Sequence, residues 1–201
     1  MGGKRVGQYR LYACVLWLAL SLPLLVASAH AQETRKNPPN IEDFSENSLV
    51  IASAKYLGAT AESMAEIVDH AFSRYGMPSA IIRGEELSVS AMFGVRYGRG
   101  TLLFKDGREE PIYWRGPSLG VDMGATGSKS FALVYNIKNP EDLHKRIPGV
   151  DGSLIAIGGV AFHYLQRGNT VVAPMRVGVG YQVGISLGYV KFSPKRSWMP
   201  F

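Results

Sequence analysis

Ser118 stands in Gly116-Pro117-Ser118-Leu119-Gly120, the Gly-x-Ser-x-Gly spacing of a nucleophilic serine, and Asp151 and His163 follow in the order a hydrolase triad requires. That chemistry needs a strand turning sharply into a helix so that the hydroxyl is exposed. Pro117 and the alternation from Ser118 to Gly124 point instead to the start of a strand, which makes Ser118 a small strand residue. Gly124-Ala125-Thr126-Gly127-Ser128-Lys129-Ser130 has the composition of a phosphate loop but not its spacing, and reads as a flexible turn before a strand. Gly178-Val179-Gly180 is one glycine short of a dinucleotide fingerprint and precedes no predicted helix. No cofactor is expected.

Metal binding has as little support. His70, His144 and His163 are far apart, and the single cysteine, Cys14, lies in the apolar start of the chain. The acidic pairs Glu85-Glu86 and Glu109-Glu110 sit beside predicted turns, where carboxylates are hydrated and unsuited to paired acid-base work. Arg96 and Asp122 are more informative, because each falls on the small-residue face of a predicted strand. A charge there must be partnered, wet at a rim or part of a site, and a structural ion pair is the expectation. No set of residues amounts to a catalytic centre, so the chain is expected not to be an enzyme.

The elements that would position these residues are mostly strands. Met64, Ile67, Val68, Ala71, Phe72 and Tyr75 recur at helical spacing, with Thr60 as N-cap and Gly76 and Pro78 closing the segment, so 61–75 is predicted as the one long helix. After Gly84 the period becomes two: Leu87, Val89, Ala91, Phe93, Val95 and Tyr97 form a bulky row against Ser88, Ser90, Met92, Gly94, Arg96 and Gly98. Asp106-Gly107 and Gly168-Asn169 are hairpin turns between apolar runs, and Pro140 to Ile147 reads as a short helix or turn. From Val177 to Phe192 one row is bulky while the other holds Gly178, Gly180, Gly184 and Gly188. Such a row admits a close backbone or helix, sharp coiling, or an elongated apolar ligand. Gly178, Gly180, Gly184, Gly188, Arg96 and Asp122 are therefore the candidate ligand-groove residues.

The chain's first residues give an address. Lys4, Arg5 and Arg10 precede an apolar run from Leu11 to Val26, and Ala29-His30-Ala31 has the small-x-small pattern of a cleavage site. Residues 1–31 are expected to be a signal peptide, too short and too quickly followed by Gln32-Glu33-Thr34 to anchor the chain in a membrane. The whole chain of 201 residues carries 22 Lys and Arg against 16 Asp and Glu, a net charge of +6. Without Lys4, Arg5 and Arg10 the balance is 19 against 16, about +3, too weak for a nucleic-acid binder. Residues 32–58, with Pro38 and Pro39, read as a disordered linker or N-terminal arm, 59–192 as a single domain, and 193–201 as a basic, aromatic tail. In that tail Lys195, Arg196, Trp198 and Phe201 are candidate membrane contacts. An outer-membrane barrel is disfavoured by Pro194, Pro200 and the long helix.

Gly84-Glu85-Glu86, Arg96-Tyr97-Gly98, Gly100-Thr101-Leu102, Tyr113-Trp114, Gly116-Pro117-Ser118, Leu133-Val134-Tyr135-Asn136, Gly149-Val150-Asp151-Gly152-Ser153 and Ala173-Pro174 together resemble the EipA envelope-integrity family, a domain of unknown function. Gly178-Val179-Gly180 and Gly188-Tyr189-Val190-Lys191-Phe192 extend the resemblance, which runs from about residue 60 to residue 192. It implies a small periplasmic protein of Gram-negative bacteria with an unusual small β-barrel and no established activity. More distantly, Gly98-x-Gly100-x-Leu102 and Ser118 to Asn136 are similar to the SYLF lipid-binding domain, which implies lipid as a ligand.

The expectation is thus a mainly β protein, a small, strongly coiled antiparallel barrel or sandwich with one packed amphipathic helix. Its function would be non-catalytic support of the cell envelope from the periplasm, by binding a lipid or another envelope component. The alternative is a protein-interaction or structural module without a small ligand.

Overall fold

A computed structural model describes residues 43–201 apart from 178–187, 198, 200 and 201, and apart from the side chains of 90–93 and 118–126. The described residues belong to one compact unit. Two helices lead into the sheet: α1 spans Glu46–Leu57 and α2 spans Ala61–Tyr75. The strands are β1 Ala80–Phe104, β2 Glu109–Tyr135, β3 Arg146–Pro148, β4 Ile155–Ile157, β5 Val160–Phe162, β6 Leu165–Arg167, β7 Thr170–Val177 and β8 Tyr189–Ser193.

Helix α2 forms as its periodicity demands. Thr60 Oγ1 accepts from the Ser63 amide at 3.2 Å, and Met64, Ile67, Val68 and Ala71 are fully buried. Helix α1 corrects the expectation of a single long helix, and it lies in the part of 32–58 expected as a linker or N-terminal arm. Ser45 caps it, and Leu49, Val50, Ala54 and Leu57 enter the same core as α2. Its buried face is built largely from small residues, with Ser53 closing back on the Leu49 carbonyl at 2.6 Å, so no bulky stripe marks it in the sequence.

The sheet is antiparallel in every pairing given by the described residues, in the order β3-β8-β2-β7-β5-β4, with β1 on β2 and β6 on β7. Gly107 and Gly168, at φ +87° and +58°, turn the β1/β2 and β6/β7 hairpins, both where expected. Gly124 to Ser130 is not the expected turn; it is strand, paired with Ser90 to Gly84. The strand expected after Gly84 and the one expected from Ser118 are parts of one hairpin with arms of 25 and 27 residues. Straight, such an arm would run about 80 Å, several times the radius of a domain this size, so the hairpin must coil. A register shift between Ser90 and Met92 helps it do so.

Coiling buries both faces of the sheet. On one side Ile81, Phe131, Leu133, Tyr135, Val171, Ala173 and Met175 pack under the helices. On the other Ala80, Ile82, Leu102, Ile112, Trp114, Ala132, Val134 and Val172 fill the inside of a half-barrel, closed by Ile147, Val190 and Phe192. The expected mainly β, strongly coiled, barrel-like fold is what forms, with a filled interior and two helices on its outer face. Pro140–Leu143 is a 3₁₀ turn leading to β3.

Candidate functional site

The coil brings distant parts of β1 into contact. A Cβ on Gly84 would meet the Arg99 carbonyl oxygen and lie 2.8 Å from Gly100 Cα; one on Gly100 would meet the Arg83 carbonyl oxygen. Between these backbones Trp114 lies across Gly98, its partner in the ladder, and a Cβ there would overlap the indole ring. Glycines at 84, 98 and 100 thus make room for one large ring, as aromatic cover of a strand glycine does elsewhere. The ring is aimed: its Nε1 donates to Glu86 Oε2 at 2.7 Å.

Glu86 is the centre of a buried ion cluster. Its other oxygen lies 3.2 Å from Arg176 Nε and 3.9 Å from an Arg96 terminal nitrogen, with Glu86 and Arg96 side chains 4% and 2% exposed. Arg96 also donates from Nε to the Pro117 carbonyl at 3.2 Å. Burial opposes the carboxylate charge, but Arg176, Arg96 and the indole outweigh it and hold Glu86 below the usual range. Burial, and Arg176 beside it, bring Arg96 down to about 10 against the pull of Glu86. His163, buried nearby, is pushed down to about 3 by burial first and then by Arg176 and Arg96, and so stays neutral.

A groove of about 560 Å³ opens beside this cluster. Glu86 and Trp114 form part of its wall, with Tyr97 and Tyr113 as further aromatic surface. Arg99, Arg115, Lys129 and Arg196 line it against Glu85 and Glu86, leaving the lining with more cations than acids. Arg99 pairs with Glu85 at 3.3 Å, and Lys129 sits over the Tyr56 ring at 5.6 Å. The volume is that of a small-ligand site, and the lining suits a ligand with a negative group and a flat or apolar body.

Arg96 makes the expected structural ion pair, with Glu86 as its partner. Glu86 therefore corrects the reading of the 85–86 pair as hydrated turn residues: it lies inside β1, on the same face as Arg96. Gly188 is packed against Pro117, where a Cβ would come within 2.7 Å of the ring. Gly178, Gly180 and Gly184, Trp198 and Phe201 lie outside the described residues, as do the side chains of Asp122 and Ser118. Ser118 pairs with Gly94 in mid-hairpin, so no strand-to-helix elbow presents it, while Asp151 is exposed in a turn and His163 is buried. Lys195 and Arg196 are exposed, and Arg196 borders the groove. Among the described residues no cluster of His, Cys, Asp and Glu could hold a metal ion, and no helix is long and apolar enough to cross a membrane.

Trp114, Arg115 and Glu86 are the groove residues that sequence reasoning missed as a site. The available signal was the placement of Glu86, Arg96 and Gly98 at even positions of one strand.

No curated protein matches the chain. Among solved structures it is similar to a β-barrel-like, uncharacterized protein of Brucella abortus, with a TM-score of 0.70 and 38% identity over 79% of this chain and 99% of that one. The model of the envelope integrity protein A family matches residues 42–201, which takes in both helices, the coiled hairpin and the groove, and the chain belongs to that family.

Proposed function

We propose that the protein is a non-catalytic component of the periplasm that supports the cell envelope by holding an envelope component, a lipid or a related amphiphile, in the groove over Trp114. The observation that carries this reading is the lining itself: aromatic faces from Tyr97, Tyr113 and Trp114 beside an excess of cations, in a volume of about 560 Å³. Glu86, the buried acid of the groove wall, is held ionised by two arginines and an indole, which suits fixed architecture better than proton transfer. The family's link to envelope integrity agrees with this role, and the pattern of residues 1–31 supports export. The weak net charge disfavours nucleic acid as a partner.

Native mass spectrometry with lipid extraction, on protein purified from the cell envelope fraction, tests the reading. A stoichiometric bound component lost on replacing Tyr97 and Tyr113 by serine is the expected result. A clean apo mass together with a stable protein partner would favour an interaction module instead. Val89, 44% exposed on the hairpin, is the observation on the side of that alternative.

A further inference from the structure

Arg115 is the least satisfied charge in the described structure. Its side chain is 7% exposed, its Nε is buried without a hydrogen-bond partner, and its one hydrogen bond runs from a terminal nitrogen to Ser193 Oγ at a long 3.4 Å. Among the described residues no carboxylate pairs with it. A buried guanidinium without an anion is costly, and its pairing matters more than that of a surface lysine.

The ladder makes the imbalance worse. Arg115 on β2 stands directly opposite Lys191 on β8, and Lys191 stands directly opposite Arg146 on β3. Directly opposed residues share a face, so three cations cross three adjacent strands in a row, where like charges repel. Among the described residues none of the three is in an ion pair; Arg146 rests instead on the Tyr189 ring at 4.9 Å. The row begins at the groove, since Arg115, Tyr113 and Ser193 all line it, and the exposed Lys195 follows within the same chain segment.

We infer that Arg115 and Lys191 form a phosphate-binding site at the mouth of the groove, with Arg146 extending the field that draws the anion in. Cations that stand opposite one another on adjacent strands suit an anion with several accepting oxygens, and a phosphate, as a monoester or as the diester of a lipid headgroup, can accept from both at once. The planar guanidinium offers a phosphate two parallel donors, and Ser193, whose hydroxyl donates to the Lys195 carbonyl at 2.9 Å, accepts only a long bond from it that an anion would replace. The inference rests on the groove reading above and gives its ligand a chemistry: a phosphate group held at Arg115 and Lys191, with the attached body against Tyr113 and Trp114. The phosphate could belong to a lipid headgroup or to a soluble phosphate ester.

The test uses protein from cells expressing the whole chain, at fixed ionic strength, titrated with inorganic phosphate against chloride and floated with phosphatidylglycerol or phosphatidylcholine vesicles. Saturable phosphate binding, weakened at least tenfold in Lys191→Glu and in Arg115→Gln, is the expected result. Lys191 is partly exposed, so its variant remains informative if Arg115→Gln fails to fold. Variant-sensitive binding to phosphatidylglycerol vesicles as well, or in place of phosphate, would assign the phosphate to a lipid headgroup; phosphate binding alone would assign it to a soluble ester. Binding no stronger than to chloride and phosphatidylcholine, or binding unchanged in Lys191→Glu, would overturn the site. A neutral component co-purifying in the groove would then leave the envelope-binding reading standing while this one fell.

Discussion

Glu86 and Arg96 belong to one strand, ten positions apart, yet their charged groups lie 3.9 Å from each other. In a straight strand they would be separated by about 33 Å. The ion pair is therefore a direct report on the coil of the hairpin, and the two features stand or fall together. Replacing Glu86 by leucine would leave the buried Arg96, and Arg176 at 16% exposed, without a counter-charge, a loss of about 3–5 kcal/mol. Adding Arg96→Met should recover a substantial part of that loss, because an uncompensated charge costs more than an apolar pair of similar volume. Denaturant midpoints of the single and double variants check this; additive losses would show that the pair is not coupled.

The coil also depends on glycines that let backbone meet backbone. At Gly100 an added methyl meets the Arg83 carbonyl, which cannot swing away as a flexible side chain would. Gly100→Ala should cost about 1–3 kcal/mol, typical of an overpacked core. At Gly107, where nothing lies within 4 Å of a Cβ, the same substitution meets only backbone strain at φ +87° and should leave the Trp114 environment unchanged. Thermal unfolding together with near-UV circular dichroism separates the two cases.

Much of this architecture is written locally, and the parts that are not share a cause. The Met64, Ile67, Val68 and Ala71 stripe and the Gly107 and Gly168 turns depend on neighbours a few positions away, and they formed as expected. Helix α1 escapes because Ala52, Ser53 and Ala54 bury little side chain and give no strong period. The site escapes for a different reason. Whether Glu86 is hydrated or buried depends on where β1 goes 10 to 16 residues later, and local periodicity carries no record of that crossing. The bulky row misleads in the same way: Leu87 and Val89 are exposed, Leu87 at the edge of the groove, while Glu86 and Arg96 of the polar row are buried beside Trp114. Glycine at 84, 98 and 100 on the face that also carries Glu86 and Arg96 was the one legible sign of a close crossing.

The entry to the fold offers a simple check on the helical layer. Thr60 supplies the only side-chain cap seen at the start of α2, through its hydroxyl to the Ser63 amide at 3.2 Å. Thr60→Ala should lower stability by about 1 kcal/mol, and Thr60→Ser or Thr60→Asp should restore most of it. Equal stability of the alanine and serine variants would mean that tertiary packing of Met64 and Ile67 alone fixes the helix start. Chemical denaturation measures the difference.

His163 sets the acid limit of the fold. Burial and the neighbouring Arg176 and Arg96 hold its folded value at about 3, against 6.5 for an ordinary histidine. Between those values the unfolded chain binds a proton that the folded chain refuses, so stability falls as pH drops below about 6.5, by up to about 1.4 kcal/mol per pH unit. Glu86 acts in the same direction over a lower window: its folded value lies below the ordinary 4.5, so its contribution is present above that value and is lost as acid protonates it. His163→Gln removes the group that must charge on unfolding while keeping a polar side chain. The variant should lose stability at pH 7 through imperfect packing, yet show a flatter profile from pH 6.5 down to about 4.5, below which Glu86 takes over. Urea denaturation across that range decides the point. A wild-type profile that is flat between pH 6.5 and 4.5, or a variant as steep as wild type, would mean that His163 is not held neutral beside Arg96 and Arg176.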